Sequence, residues 1–229
     1  MVMISISGLK VAYDGLKVKG TYSFPRKTTF VALEIDQLEV REGNVVAILG
    51  HNGAGKTTLL NALAGKLRPR EGLIKTHGTN IHLSGVNPGF APHLSPRQNL
   101  SWLSKIYDAN PKQIISEVES FSELGEAFDR PVRTLSGGMR GRVGFGFATS
   151  LEPDILLIDE VLGVGDPSFK AKATNRLEKM MERTGIVLIS THSVGLVKSI
   201  ATSALVLSKG KVVHNGNVDE GLNLYSSMK

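Results

Sequence analysis

The chain has 229 residues, 27 Lys and Arg against 21 Asp and Glu, a formal net charge of +6 and no cysteine. The lack of cysteine excludes disulfides, Cys-ligated zinc and thiol chemistry. No run of about 18 apolar residues is present, so neither a membrane span nor an export leader is expected. The length fits one α/β domain with an inserted subdomain. The modest positive charge suits nucleic acid or an anionic membrane surface, but the basic stretch Lys66–Lys75 has no interleaved aromatic residues, so nucleic-acid binding is not expected.

Three β strands are predicted first in the chain, at about Ile4–Ile6, Val31–Leu38 and Val45–Leu49. The stretch Gly15–Thr29, between the first two strands, is expected to form an extra loop. The third strand is continuously apolar, which is typical of a central strand covered on both faces of a sheet.

The third strand runs directly into a glycine-rich turn with the spacing of a phosphate-binding P-loop. Glycine lets successive backbone N–H groups curl around phosphates, and a helix beginning near Lys56 would direct its N-terminal N–H groups at the anion. The alternative is an ordinary glycine-rich loop that does not bind phosphate. We assign nucleotide binding to Gly50, Asn52, Gly53, Gly55, Lys56, Thr57 and Thr58, with the Thr57 hydroxyl also placed to bind Mg²⁺. His51 occupies a variable position of the motif, and its side chain is expected to face solvent.

A helical insert is predicted from Ser95 to Phe128. Ser95 and Gln98 have the spacing of a capping box with a proline at the first helical position. Asn110 followed by proline repeats that pairing of cap and proline, so two helices are expected, separated near Asp108.

Two further apolar strands are predicted, at Ile155–Ile158 and Ile186–Ile189. They are followed by a short helix, by the run Ala204–Val213 with a hairpin turn at Ser208–Lys211, and by a brief helix over Glu220–Met228. The fold class is therefore α/β, with a mainly parallel core sheet and an antiparallel β edge.

The sequence Leu135-Ser136-Gly137-Gly138-Met139 precedes a predicted helix, and the strand after that helix ends in Asp159 and Glu160. Together with the upstream P-loop, these motifs resemble the ATP-binding cassette (ABC) family over nearly the whole chain. The resemblance implies the ABC ATPase variety of the P-loop NTPase fold. It implies one nucleotide-binding domain over 1–229, with a core of about 1–86 and 152–229 and a helical subdomain of about 87–151.

The resemblance also implies roles for individual residues, with ATP and Mg²⁺ as the cofactors. Ser136, Gly137 and Gly138 form the signature that contacts ATP bound by the opposite subunit of a homodimer, and Asp166 lies in the D-loop. Asp159 matches the acid that holds Mg²⁺, Glu160 the carboxylate that polarises the attacking water, and His192 the switch histidine at the γ-phosphate. Two bland alternatives stay open. Asp166 followed by proline would also serve as a helix cap, and a lone histidine is usually structural.

Two positions depart from the family pattern or leave a choice. Tyr13 resembles the aromatic residue that stacks on adenine, but a half-buried strand tyrosine fits nearly as well, and Phe24 and Phe30 are possible substitutes. The glutamine that most relatives carry before the helical insert is missing. Ser84 or Asn87 could replace it, whereas the nearby glutamine at 98 is already explained by the capping box.

Several segments look like the ATPase subunits of bacterial polysaccharide exporters, and the capsule type is favoured. These segments are Gly85 to Phe90, Ser95 to Leu100 and Glu160 to Asp166. The resemblance implies a separate multi-spanning permease that handles a polysaccharide or glycolipid cargo and docks near Asn87–Leu103. It also implies a peripheral position at the cytoplasmic face of the inner membrane. The alternatives are export of O-antigen or teichoic acid, a soluble ABC ATPase of DNA repair or translation, and a regulatory module that uses ATP only to dimerise.

Overall fold

The computed structural model describes residues 3–17, 26–83, 88–159 and 167–228. The sequence assignments to Phe24, Ser84, Asn87, Glu160 and Asp166 lie outside these ranges. Within them the chain forms two compact units. The first holds residues 3–17, 26–82, 154–159 and 185–228, and the second holds 83, 88–153 and 167–184.

A six-stranded sheet in the order β5-β6-β7-β3-β8-β9 forms the centre of the first unit. The strands β3, β6, β7 and β8 are parallel, and β9 pairs antiparallel with β8 at one edge. The predicted mainly parallel sheet with an antiparallel edge is therefore confirmed. The bounds are β3 Asn44–Leu49, β5 Asn80–Leu83, β6 Ile155–Asp159, β7 Ile186–Ser190, β8 Ser203–Ser208 and β9 Lys211–Gly216.

A separate antiparallel sheet in the order β2-β1-β4 belongs to the same unit. Its strands are β1 Met3–Lys17, β2 Arg26–Arg41 and β4 Glu71–His77. The prediction of an extra loop from Gly15 to Thr29 is wrong where the structure describes the chain, because Gly15 pairs with Thr28 where β1 and β2 run antiparallel. Backbone hydrogen bonds and polar cross-strand contacts, such as Thr29 Oγ1 to Asp14 at 3.0 Å, hold this exposed end without an apolar pattern.

In the part of the chain that the structure describes, the first unit also contains the helices α1 Lys56–Leu63, α6 Val194–Ile200 and α7 Val218–Ser227. Leu59, Leu60 and Leu63 of α1 lie in the core cluster shared by both sheets. Leu222 and Tyr225 of α7 pack in a second cluster against β3 and β8. The burial of apolar side chains from both faces explains why the central strands lack polar alternation.

The second unit is helical, with α2 Pro96–Ile106, α3 Pro111–Ser122, α4 Gly137–Ser150 and α5 Pro167–Arg183. The two predicted helices are confirmed, and Asp108 separates them with a left-handed φ of 55°. The helical stretch ends at Ser122 rather than Phe128, because Glu123 adopts a left-handed conformation and a 3₁₀ turn follows over Gly125–Asp129. Within the four described ranges, no helix is both long and apolar enough to cross a bilayer.

Candidate active site

The glycines of the P-loop are required by its backbone. Gly50, Gly53 and Gly55 have φ values of 150°, 78° and 107°, in the region that favours glycine. A Cβ atom on Gly50 would lie 2.5 Å from the Leu207 carbonyl oxygen, and one on Gly55 would lie 3.1 Å from the Ala32 carbonyl oxygen. The loop therefore takes its shape from contacts that only glycine permits.

The turn between β8 and β9 is hydrogen-bonded to the P-loop. The backbone N–H of Gly210 donates to the Ala54 carbonyl at 3.0 Å, and the Gly210 carbonyl accepts from the Glu34 N–H at 2.7 Å. Lys209 and Gly210 both have positive φ, of 47° and 80°. The hairpin predicted at this turn is thus confirmed, and it joins the P-loop to β2 through backbone hydrogen bonds.

Lys56 is the first residue of α1 and is 7% exposed. Its Nζ donates to the carbonyl oxygens of Gly50 at 2.7 Å and His51 at 3.2 Å, so its charge lies inside the curve of the loop. The helix has no side-chain cap at Gly55, and its first N–H groups form a site suited to an anion. Thr57 is exposed beside Lys56.

Two parallel strand ends lie beside the P-loop strand. In the sheet register Asp159 of β6 is opposite Ser190 of β7, and Ser190 is opposite Ile48 of β3. The carboxyl ends of these strands therefore meet at one edge, where ligands bind in open α/β sheets. The Ser190 hydroxyl is buried and has no hydrogen-bond partner among the described residues, as expected beside a site that receives a polar ligand.

His82 in β5 was not assigned a role from the sequence. Both of its ring nitrogens are buried and unpaired within the described ranges. Burial and, to a smaller extent, the Lys66 charge lower the pKa of His82 to about 4, while the Asp159 carboxylate opposes the shift. His82 is therefore a neutral imidazole near the strand end that carries Asp159.

His192 lies two residues after β7, and its Nδ1 is 3.0 Å from the Tyr225 hydroxyl of α7. The Tyr225 ring is also 5.8 Å, centroid to centroid, from the ring of His51 in the P-loop. His51 is exposed, in line with the expectation of a solvent-facing side chain, and its Nε2 also donates to the Met228 carbonyl at 2.7 Å. Contacts between segments so distant in the chain leave no local signal in the sequence.

The signature residues form the start of α4 in the second unit. Ser136 is the N-cap, and its Oγ accepts a hydrogen bond from the Met139 N–H at 3.2 Å. Gly137 and Gly138 are exposed. Among the described residues, a Cβ on Gly137 would meet no atom within 4 Å, and one on Gly138 only the Ser136 Oγ at 4.0 Å. The packing of this unit therefore gives no reason for glycine, in place of a residue with a side chain, at positions 137 and 138.

Tyr13 is 44% exposed in β1, directly opposite Phe30, which is 68% exposed in β2. The two aromatic side chains are thus cross-strand neighbours, and the exposure of Tyr13 also fits the alternative of a half-buried strand tyrosine. An exposed flat ring is suited to stacking on a base. The choice between Tyr13 and Phe30 for this role stays a prediction.

The residues at this edge fit a magnesium nucleotide. The loop offers a glycine cradle, an uncapped helix N-terminus and the buried Lys56 charge to phosphates. A hydroxyl from Thr57 and a carboxylate from Asp159 are the oxygen ligands that Mg²⁺ prefers.

The chain is similar to known proteins over most of its length. The family model described as "ABC transporter" matches residues 33–163. The polysialic acid transport ATP-binding protein of Escherichia coli is 34% identical over 208 residues, covering 90% of this chain and 92% of that protein. An O-antigen export system ATP-binding protein of Klebsiella pneumoniae is 32% identical over 210 residues, covering 90% and 85%. A teichoic acids export ATP-binding protein of Bacillus anthracis is 35% identical over 197 residues, covering 85% and 36%.

Solved structures show the same fold. A structure described as the ATP-binding subunit of an ABC transporter matches with a TM-score of 0.74 and 24% identity, covering 98% of this chain and 93% of that one. An ATP-binding cassette solved as a dimer in a post-hydrolysis state with ADP and Pi matches with a TM-score of 0.71 and 21% identity, covering 94% and 98%.

Proposed function

This chain belongs to the ABC transporter family, and from that premise we propose that it is the ATP-hydrolysing subunit of a bacterial exporter of a capsule-type polysaccharide. The observation that carries the proposal is the similarity to the polysialic acid transport ATP-binding protein, which extends over nine-tenths of both chains. An O-antigen export protein matches over a similar share of both chains, and a teichoic acids export protein matches over a similar share of this chain, so these cargoes are the second candidates.

ATP binds through its phosphates to the P-loop. The backbone from Gly50 to Gly55 donates N–H groups, and Lys56 turns from its loop carbonyls towards the phosphate oxygens. The residues assigned to this contact are Gly50, Asn52, Gly53, Gly55, Lys56, Thr57 and Thr58. The Thr57 hydroxyl and the Asp159 carboxylate would hold Mg²⁺, which when bound neutralises phosphate charge.

Hydrolysis needs a group that accepts a proton from the attacking water. Glu160 follows Asp159 directly and is assigned that role. His192 stands two residues beyond the end of β7 and donates a hydrogen bond to the γ-phosphate. Asp166 belongs to the same site as a D-loop residue.

Two copies complete each site in this proposal. Ser136, Gly137 and Gly138 of one chain contact the ATP held by the P-loop of the other, which places two nucleotides in a head-to-tail homodimer. The exposure of these residues and the free space around the glycines support the assignment. The proposal treats 1–229 as one nucleotide-binding domain, with a core of about 1–86 and 152–229 and a helical subdomain of about 87–151.

Dimerisation of the Glu160→Gln variant tests the ATPase part. We expect its ATP turnover to fall by about a hundredfold or more, since general-base catalysis contributes about 10² to 10⁴. The variant should form a stable dimer when MgATP is added, as measured by light scattering after size exclusion. The control is the double variant with Lys56→Ala, which should stay monomeric. A variant with undiminished turnover, or one that stays monomeric with its permease present, contradicts the proposal.

Recovery of partners from detergent-solubilised membranes tests the export part. A tagged full chain should recover a multi-spanning permease and a bound polysaccharide or glycolipid, in keeping with a peripheral position at the cytoplasmic face of the inner membrane. The chemistry of the bound glycolipid separates capsule, O-antigen and teichoic acid. Recovery of ribosomes or DNA without a membrane protein would instead favour a soluble ABC ATPase.

A further inference from the structure

The C-terminal helix α7 contacts two parts of the proposed ATP site. We propose that Tyr225 is a positioning residue for His192: its hydroxyl donates to Nδ1 and keeps the imidazole in the orientation and tautomer in which Nε2–H donates to the γ-phosphate. This inference rests on the role of His192 in the proposed function. It adds a residue that lies far beyond the P-loop, the signature and the strand carboxylates in the chain.

The tyrosine ring is fixed by packing. Tyr225 is 4% exposed and shares an apolar cluster with Leu222 of its own helix, Leu49 of β3 and Val206 of β8. A ring held in a core cannot swing away from the sheet without opening a cavity. Its hydroxyl therefore stays near the end of β7, where it lies 3.0 Å from His192 Nδ1.

The chemistry of imidazole gives this contact a direction. A neutral imidazole has one donor nitrogen and one acceptor nitrogen. A phosphate oxygen can only accept, so the nitrogen that faces it must carry the proton. If Nε2 is that donor, Nδ1 must accept, and the Tyr225 hydroxyl, 3.0 Å away, is a group that can donate to it.

The P-loop is attached to the same helix. His51 Nε2 donates to the Met228 carbonyl at 2.7 Å, just past the end of α7. The His51 and Tyr225 rings are in contact at 5.8 Å with their planes inclined by 46°. Tyr225 therefore contacts both His192 and His51 of the P-loop, so it fixes the position of His192 with respect to the phosphate-binding loop.

Kinetics of the Tyr225→Phe variant test the inference in the purified full chain. The change removes only the hydroxyl, so the ring packing is retained. We expect kcat for ATP hydrolysis to fall by about three- to tenfold, the usual value of one neutral hydrogen bond, with KM for ATP changed by less than about twofold. Tyr107→Phe, at a tyrosine that is 48% exposed in the second unit, is the control and should leave kcat unchanged.

The same change in a His192→Ala background separates positioning from general stabilisation. If Tyr225 acts through the histidine, Tyr225→Phe causes no further loss there. An equal loss in both backgrounds, or no loss in the wild-type background, overturns the inference. A His192→Ala chain as active as wild type overturns both the inference and the assigned role of the histidine. Loss of turnover in Lys56→Ala but not in Tyr225→Phe leaves the proposed function standing and overturns the inference alone.

Nitrogen-15 NMR of the histidine side chains provides a readout independent of turnover. With the His192 signal identified from the His192→Ala spectrum, the wild-type chain should show the Nε2–H tautomer at neutral pH. Tyr225→Phe should shift it towards a tautomer mixture. A wild-type His192 in the Nδ1–H form, or a spectrum that Tyr225→Phe leaves unchanged, overturns the inference.

Discussion

The glycines of the P-loop and those of the signature differ in what surrounds them. Gly50 and Gly55 have positive φ and face backbone atoms that would collide with a Cβ. Gly137 and Gly138 open a helix at positions where a Cβ would be accommodated within the described chain. A helix gains from alanine in place of glycine, so folding alone favours a side chain there. The comparison indicates that the first pair serves the shape of its own loop and the second pair keeps a surface accessible.

Gly50→Ala is the strongest way to test this contrast. The Cβ would approach the Leu207 carbonyl oxygen to 2.5 Å at a φ of 150°, so the free energy of unfolding should fall by about 2 to 5 kcal/mol through strain and overpacking. Urea denaturation followed by circular dichroism measures the change. The matched control is Gly43→Ala, where φ is 86° and the added Cβ meets no described atom within 4 Å. It should cost only about 1 kcal/mol, and equal losses in the two variants would contradict the role of the close contact.

Lys56→Ala should weaken ligand binding and leave the packing of the loop glycines largely intact. Removing the buried cation should weaken binding of a labelled ATP analogue by about ten- to a hundredfold, as expected for a charged hydrogen bond of about 1.5 to 3 kcal/mol. Equilibrium fluorescence titration gives the dissociation constant. Lys198→Ala, at an exposed lysine of α6, controls for the loss of one positive charge and should leave it unchanged. Undiminished affinity in Lys56→Ala would remove the P-loop assignment.

Gly137→Ala should have the smallest effect on the fold. The free energy of unfolding should change by no more than about 1 kcal/mol, and in the favourable direction. In the Glu160→Gln background the MgATP-driven dimer should nevertheless weaken by about tenfold, or 1.4 kcal/mol, because the added methyl group occupies the surface offered to the second nucleotide. Gly195→Ala, near the start of α6 with equally free space, should leave the dimer unchanged. If Gly137→Ala destabilised the monomer, or left the dimer unchanged, the two glycine pairs would not differ in the way that is proposed.

The order of the main elements could be predicted because their signals are local. The capping box at Ser95 is present with both of its hydrogen bonds, of 3.3 Å from the Gln98 N–H and 2.9 Å to the Gln98 side chain. Continuous apolar runs marked the buried strands β3, β6 and β7. The same kind of reading missed β4, whose residues are mostly exposed and carry no apolar alternation.

Residues of the candidate site could be predicted only where they belong to a recognisable sequence motif. Lys56 and Thr57 come from the spacing of the P-loop and Asp159 from the family resemblance, and their roles stay predictions. The contacts of Tyr225 with His192 and His51 join segments that are remote in the chain. Tertiary packing creates such contacts, and no local propensity or period encodes them.

The junction at Gly210 has a consequence for how this chain can vary. A Cβ there would lie 2.6 Å from the Ala32 carbonyl oxygen, and the Gly210 N–H and carbonyl already bridge the P-loop and β2. The backbones of the P-loop, β2 and the turn at Gly210 are in direct contact, with no side chain between them. A side chain added at one of them would require the other two to shift. A side chain at residue 210, although 155 or more residues after the P-loop in the chain, would therefore distort the loop that is proposed to hold the ATP phosphates.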